Sequence, residues 1–549
     1  MVKKSLLISS LIFITTMGVV SCNNSKKEMD FAGLNTFKRT FYVGDELSLE
    51  GMKIVHKKTR EEIKNYSLSI NEGTILNQVE KAKDITVSSN GFENLTFKIE
   101  VLDPNKMNEC TIDIYSLNDF HGSFSYDASK GQIGLARISE FINQRRINNP
   151  NTILISAGDM WQGGVESNKT KGLLMTDAMN LMHFDAMALG NHEFDWGEKA
   201  LKDNAKIKEF PFLSSNIYYS NSNSQPEYLQ PSKILKIAGI EIGIIGAGSK
   251  YLGDDILGSI SEKFEFKDPI PLIKEESIKL KESGTEYNIL VSHDGGFYES
   301  SSSQQYVYEE LFTNELNYVD AVFLGHDHRQ KEGSFNGVPY IEGGCNGEAI
   351  SRVSLVFKRN KTSFEHIKTT YEVISTSNDM LFGEPDLKID DLLEKYKEAI
   401  GDVDRIICNF TGKVSKQKFL DIACQAIATY INKNKLLYKV EVKAGVHNSG
   451  GVRDDFEGGK FRYTDLIKIF PFSNTLVIMK VNKKQYDKIT IKSSNDYVEL
   501  LPLTFNNGYE YVGTINYVAE YDGVTSIETI DTGINVQDAI EEYLVETYK

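Results

Sequence analysis

The chain has 549 residues, with 61 Lys plus Arg against 77 Asp plus Glu and a formal net charge of -16 at pH 7. This length exceeds one ordinary domain of roughly 100–200 residues, and the acidic balance argues against the broad basic surface that grips nucleic-acid polymers. A small anionic substrate stays open, because a metal site brings its own local positive charge. Five cysteines are too few and too scattered for a disulfide scaffold or a paired CxxC zinc module, and Cys110, Cys345, Cys408 and Cys424 are left to pair or stay reduced.

Lys3 and Lys4 precede an apolar run over residues 6–20, shorter than the ~20 residues of a spanning helix and laid out like a secretory signal. Its end, Val19-Val20-Ser21-Cys22, resembles a bacterial lipobox. The resemblance implies that Cys22 is lipidated and that the chain is held on the membrane of a bacterial cell envelope, outside the cytoplasm. An uncleaved anchor with an incidental cysteine is the plainer alternative. Residues 1–22 are thus expected to be a leader and 23–30 a polar tether.

Residues 31–104 read as short β-runs: Phe41-Tyr42-Val43 before Gly44-Asp45, then 66–70 and 95–101, the last two alternating at period two. A small all-β sandwich is expected. Phe41-Tyr42-Val43-Gly44-Asp45 with Leu47, Leu49 and Gly51 resembles bacterial Ig-like surface modules, which implies a spacer or wall-binding role. From 110 to 375 strands alternate with helical stretches, the pattern of an α/β fold. Candidate strands at 112–117, 152–156, 186–189, 240–245, 288–292 and 321–324 are mostly continuous apolar runs, as strands covered on both faces require. Leu387, Leu392, Leu393, Tyr396 and Ile400 fall at helical spacing, so 385–402 is read as a linker helix. Residues 405–549 mix helix and strand as a second α/β domain.

Metal-ligand residue types follow five of these strands: Asp119 and His121; Asp159; Asn191 with His192; His293; and His326 with His328. Carboxyl ends of parallel strands form the ligand crevice of an open sheet, so these oxygens and imidazoles are expected to converge. A carboxylate able to bridge, neutral imidazoles and an amide oxygen suit first-row transition ions better than calcium. Two such ions can hold both sides of an in-line displacement at phosphorus. One such fragment would be weak; five in order at one locus point to a metal centre.

The series Asp-x-His, Gly-Asp, Gly-Asn-His-Glu, His and Gly-His-x-His resembles the calcineurin-like metallophosphoesterases. The strings Asn118-Asp119-Phe120-His121-Gly122 and Gly190-Asn191-His192-Glu193-Phe194-Asp195 resemble, more narrowly, the 5'-nucleotidase / UDP-sugar hydrolase / 2',3'-cyclic-nucleotide phosphodiesterase family. The resemblance implies a four-layer β-sandwich flanked by helices and two divalent ions, zinc, manganese or similar. Asp119, His121 and His328 would hold the first ion, Asp159 would bridge, and Asn191, His293 and His326 would complete the second site. His192 would face the phosphate, oriented by Asp195, and the nucleophile would be a metal-activated water.

The C-terminal block resembles the family's substrate-binding domain at three segments. Asn448-Ser449-Gly450-Gly451-Val452-Arg453 implies phosphate contacts from Asn448 and Arg453. Pro471-Phe472 implies one wall of a base slot, and the segment from Tyr517 to Gly523 implies the other wall, Tyr517, and a nucleoside-binding carboxylate, Asp522. Tyr521 stands where the family carries glycines, and residues 411–425 offer Lys413, Lys416 and Lys418 where it carries an arginine. The reading is an enzyme acting on nucleoside 5'-phosphates, with a diesterase for 2',3'-cyclic nucleotides or UDP-sugars as the alternative. An inactive surface-binding lipoprotein is the reading from another class.

Overall fold

A computed structural model describes residues 26–548 apart from 301–302, 313–316, 376–382, 493–496, 500–504, 506–507 and 521–523. The leader, Cys22 and Asp522 lie outside the described residues. Among those described, no helix is long and apolar enough to cross a membrane, and Cys110, Cys345, Cys408 and Cys424 form no disulfide.

The N-terminal region forms a small all-β domain. A four-stranded sheet runs in the order Thr40–Tyr42, Leu95–Leu102, Glu80–Ser88, Ser67–Leu68, and Met29–Phe31 pairs antiparallel with Ile54–His56. Period-two alternation drives Phe97, Ile99 and Val101 into one core with Ile85, Val87, Phe37 and Phe41. The domain starts earlier than the expected tether boundary: Lys27 bridges to Phe92 and Met29 is buried in the core.

Nor is it a hanging spacer. Asn35 Nδ2 donates to Thr152 O at 3.0 Å and Asp185 Oδ2 at 3.1 Å in the central domain. Arg60 reaches Asp30 at 2.6 Å and Glu209 at 2.5 Å, with His183 Nε2 3.3 Å from Asp30. On the far side Arg359, fully buried, donates to Glu100 at 2.6 Å. Partly buried ion pairs of this kind favour a fixed geometry, because a partner left alone away from water is costly.

All six strands expected in the central domain form, and they divide between two sheets, as a four-layer sandwich requires. Asn108–Leu117, Thr152–Ser156 and Ala186–Ala188 lie parallel and adjacent in a seven-stranded sheet. Ile240–Gly248, Tyr287–His293 and Ala321–Phe323 lie parallel in a six-stranded sheet. The inner faces meet through Ile112, Ile114, Ile153 and Ile155 against Ile242, Ile244, Ile289 and Val291. Helices Leu135–Asn148 and Leu173–Leu181 pack outside the first sheet and Pro269–Glu282 outside the second. The layers are therefore helix, sheet, sheet, helix, which is why the central strands read as apolar on both faces.

The linker helix spans Leu387–Ile400, capped by Asp386, whose side chain accepts from Lys388 N. Ile389 and Leu392 join the core of the first sheet, and Tyr396 Oη donates to Asp177 at 2.5 Å. The C-terminal domain has a five-stranded sheet, ordered Tyr497–Glu499, Ala444–Val446, Glu510–Ile515, Thr475–Val481, Glu528–Asn535. Helix Lys416–Lys433 lies so close that a Cβ on Gly445 would meet Cys424 O at 1.9 Å.

Candidate active site

The strands of both sheets end at one place, so the donors come from two sheets facing each other. The turns there are tight: Asp119, His121, Asp159, His326 and His328 have φ of 47°, 51°, 54°, 87° and 61°. L residues other than Asn and Asp rarely adopt this left-handed region. Glycines provide the remaining room. A Cβ on Gly190 would fall 2.1 Å from Asp159 Oδ1, and one on Gly158 2.8 Å from His293 Nδ1.

Three sets of donor atoms close to within 4.8 Å of one another: Asp119, His121 and His328; His121, Asp159 and His192; Asp119, Asp159 and His293. Within each set the orientation suits a cation. His121 Nδ1 donates to Gln162 O at 2.9 Å and His293 Nδ1 to Ala157 O at 2.7 Å, which leaves both Nε2 lone pairs facing the centre. His121 Nε2 stands 3.0 Å from His328 Nε2. Asp119 Oδ2 accepts from Asn118 Nδ2 and the His326 amide, at 2.7 and 2.8 Å.

The atoms left over provide the fit test. Asn191 Oδ1 is buried with no hydrogen-bond partner. Asp119 Oδ1 and His293 Nε2, also without one, meet only other expected ligands, His328 Nε2 at 3.4 Å and Asp159 Oδ2 at 3.1 Å. Native interiors avoid this cost unless something else pairs with such atoms. All three belong to the expected metal ligands. The residues present therefore fit divalent ions.

The charge balance agrees. Burial works against a charged imidazole at His293, yet Asp159 and Asp119 push it up to about 10; Asp119 does the same to His328 against its own burial. Burial and the neighbouring His192 instead push His121 down to about 3, the neutral form a ligand needs. Burial opposes ionisation of Asp159, but the surrounding imidazoles hold its carboxyl well below the usual range. The carboxylates call for positive charge at the centre.

His326 stands beside His293, ring centroids 5.1 Å apart, but it joins none of the three sets and its Nε2 lies 3.6 Å from Asp255 Oδ2. His192 is committed at Nδ1 to Asp195 Oδ2, 2.9 Å away, and its amide donates to Asp159 Oδ1 at 2.9 Å. A cleft of about 410 Å³ opens from this centre. His192, Asp195, Asn191, His326 and His328 line it together with Asn448, Arg453, Phe472 and Tyr517 of the C-terminal domain. Phe472 lies 5.7 Å from the His192 ring and 5.0 Å from the Arg453 guanidinium.

Two residues carry structure that the motif reading passed over. Glu193, fully buried, accepts from the amides of Gly190, Asp159 and Met160 at 2.8, 2.9 and 2.9 Å. It ties two ligand-bearing turns together. Asn118 spans Asp119, Gly344 O and the Gly343 amide. Both stand inside the quoted strings, so the signal was present without a role attached.

This two-sheet sandwich with donors at its shared end is the architecture of the metal-dependent phosphoric-ester hydrolases. The calcineurin-like phosphoesterase family matches residues 112–330. Residues 399–485 match the 5'-nucleotidase C-terminal domain, so the chain joins a calcineurin-like phosphoesterase domain to a 5'-nucleotidase C-terminal domain.

Among known proteins it is 24% identical over 464 residues to Protein UshA of Yersinia enterocolitica, covering 76% of this chain and 81% of that one. It is 32% identical over 198 residues to mouse 5'-nucleotidase, covering 36% of this chain and 32% of the relative. Against that relative the chain thus spans about a third of the length. A 5'-nucleotidase precursor from Thermus thermophilus shares the fold with a TM-score of 0.61 at 18% identity, over 80% of this chain and 97% of that one. A Candida albicans 5'-nucleotidase does so with a TM-score of 0.55 at 14% identity, over 80% and 99%.

Proposed function

We propose that the chain hydrolyses nucleoside 5'-phosphates outside the cytoplasm, using two divalent ions. The observation that carries this reading is one cleft in which Asp159, Asn191, His326 and His328 face His192, Arg453 and the rings of Phe472 and Tyr517. Asp119, His121 and His328 would hold one ion, Asn191, His293 and His326 the other, with Asp159 between them. When bound, such ions polarise phosphoryl oxygens and make a water acidic enough to attack.

The chain's own residues do the rest. Arg453 has the planar fork that clamps phosphate oxygens. The base stacks between Phe472 and Tyr517, an interaction worth about 1–3 kcal/mol. His192, held cationic by Asp195 and Asp159 against its burial, donates a proton to the departing ribose oxygen. Asp522, outside the described residues, would accept from the nucleoside. The same reading includes a lipid anchor at Cys22 and an Ig-like character for the N-terminal domain, which the leader pattern and the short β-runs support.

A second reading rests on another observation. A cleft of about 700 Å³ opens beside His121 and His328, where Lys416, Lys468 and Arg453 stand among Glu166, Asp404 and Asp454. It offers space beyond the scissile phosphate, as the sugar of a UDP-sugar requires. Phosphate release from AMP, UDP-glucose and 2',3'-cyclic AMP, after chelation and again with manganese or zinc restored, tests both. Metal-dependent turnover of AMP supports the nucleotidase; turnover of the diesters alone shifts the reading to the second; no turnover at all returns it to a surface-binding lipoprotein.

A further inference from the structure

The wall of the base slot is held from two domains at once. Phe470, Pro471 and Phe472 follow directly on helix Tyr463–Ile469, and their carbonyls divide between partners. Gln537, from the C-terminal domain's last helix, donates to Phe470 O at 2.5 Å and Phe472 O at 3.4 Å. The carbonyl between them, Pro471 O, reaches across the domain boundary. There it accepts from Gln162 Nε2 at 3.1 Å and Asn168 Nδ2 at 2.8 Å, both central-domain residues. A carbonyl oxygen has two lone pairs, and these two amides fill both.

The central-domain end of this bridge is the metal centre itself. Gln162 O accepts from His121 Nδ1 at 2.9 Å, so one residue touches a metal ligand through its backbone and the slot through its side chain. Gln162 is only 2% exposed. A buried amide is costly to leave unpaired, so this donor is committed to Pro471. Asn168 is aimed by its own turn: Gly163 N donates to its Oδ1 at 2.9 Å.

Resting on the nucleotide reading above, we propose that Gln162 and Asn168 are positioning residues. They clamp the Pro471–Phe472 segment to the loop carrying His121, so that base slot and metal centre keep one register. A substrate that fills both sites uses the clamp, and a phosphate ester without a base does not.

The test compares AMP with p-nitrophenyl phosphate on the metal-loaded full chain carrying Gln162→Ala, Asn168→Ala or both. Asn168→Asp is a fourth variant, which keeps the acceptor for Gly163 N and loses the donor to Pro471. The readout is the ratio of kcat/KM for AMP to that for p-nitrophenyl phosphate. The clamp predicts that the ratio falls about 3- to 10-fold for each single variant, the range expected for one neutral hydrogen bond. The double variant should fall further, through KM for AMP more than through kcat. An unchanged ratio, whether both substrates lose equally or neither does, overturns the clamp. A wild-type chain that hydrolyses p-nitrophenyl phosphate but not AMP overturns the nucleotide reading, and this inference with it.

Discussion

His192 Nδ1 and Asp195 Oδ2 lie 2.9 Å apart, joined by a hydrogen bond that fixes which ring nitrogen is left to face the cleft. Burial alone would depress the imidazolium, but Asp195 and Asp159 outweigh it and push His192 up to about 9. A protonated His192 can serve as an acid, and the group loses that capacity as pH rises through its pKa. Replacing Asp195 by Asn removes a charge that raises the pKa, so the alkaline fall in kcat should begin at lower pH. Replacing His192 by Ala should lower kcat by about 10²–10⁴-fold. Rate profiles between pH 6 and 10 decide both; an unmoved alkaline limb in Asp195→Asn would assign that limb to another group.

Chelation should abolish phosphate release, and restoring manganese or zinc should recover it. Metal should also raise the melting temperature, since ligands that bind the folded chain stabilise it by mass action. Asp159→Ala should lose activity without unfolding, because what it removes is a charge held for an ion. Persisting turnover in that variant would sink the bridging role.

Gly190 has no space for a methyl group, since its Cβ would lie 2.1 Å from Asp159 Oδ1. Gly190→Ala should therefore weaken metal affinity by displacing the carboxylate. Calorimetric titration of the chelated protein with manganese measures this, and wild-type affinity would show that the turn yields.

The docking of the N-terminal domain should be acid-labile. Burial works to raise the Asp30 carboxyl, but His183 and Arg60 hold it far below its ordinary value. A depressed carboxyl adds stability above the unfolded pKa of about 4, and this is lost as pH falls through the folded value. Thermal stability should decline below about pH 4, and Asp30→Asn should flatten that decline. Arg60→Ala, which strands Glu209 and leaves Asp30 with His183 alone, should cost about 1–3 kcal/mol, read from denaturant melts.

Much of this was legible in the sequence. Thr152–Ser156 is buried at every position, and such strands announce themselves as apolar runs. The donors announce themselves by following them. What stayed hidden is non-local. Nothing near Ile240 says that its strand joins a different sheet from Ile112, because both patterns are equally apolar. The strand Glu80–Ser88 begins Glu-Lys-Ala-Lys-Asp, a polar stretch whose pairing supplies what its composition does not. The contact of Arg60 with Glu209 spans 149 positions, so the docked domain read as a free spacer. Gln162 is a neutral amide outside every motif, and only its neighbours give it a role.

The left-handed turns at Asp119, His121, Asp159, His326 and His328 bear on how the metal centre is filled. Unusual backbone of this kind costs on the order of 1–3 kcal/mol per residue, and folding has already met that cost. An arriving ion would therefore meet turns already formed rather than a loop to organise. Loading should run at a pace set by the shedding of the ion's water, and a chelated chain should recharge on mixing, with no refolding lag. The price of that readiness is tolerance: a socket shaped by backbone torsion should accept one transition ion in place of another of similar radius more readily than a larger one.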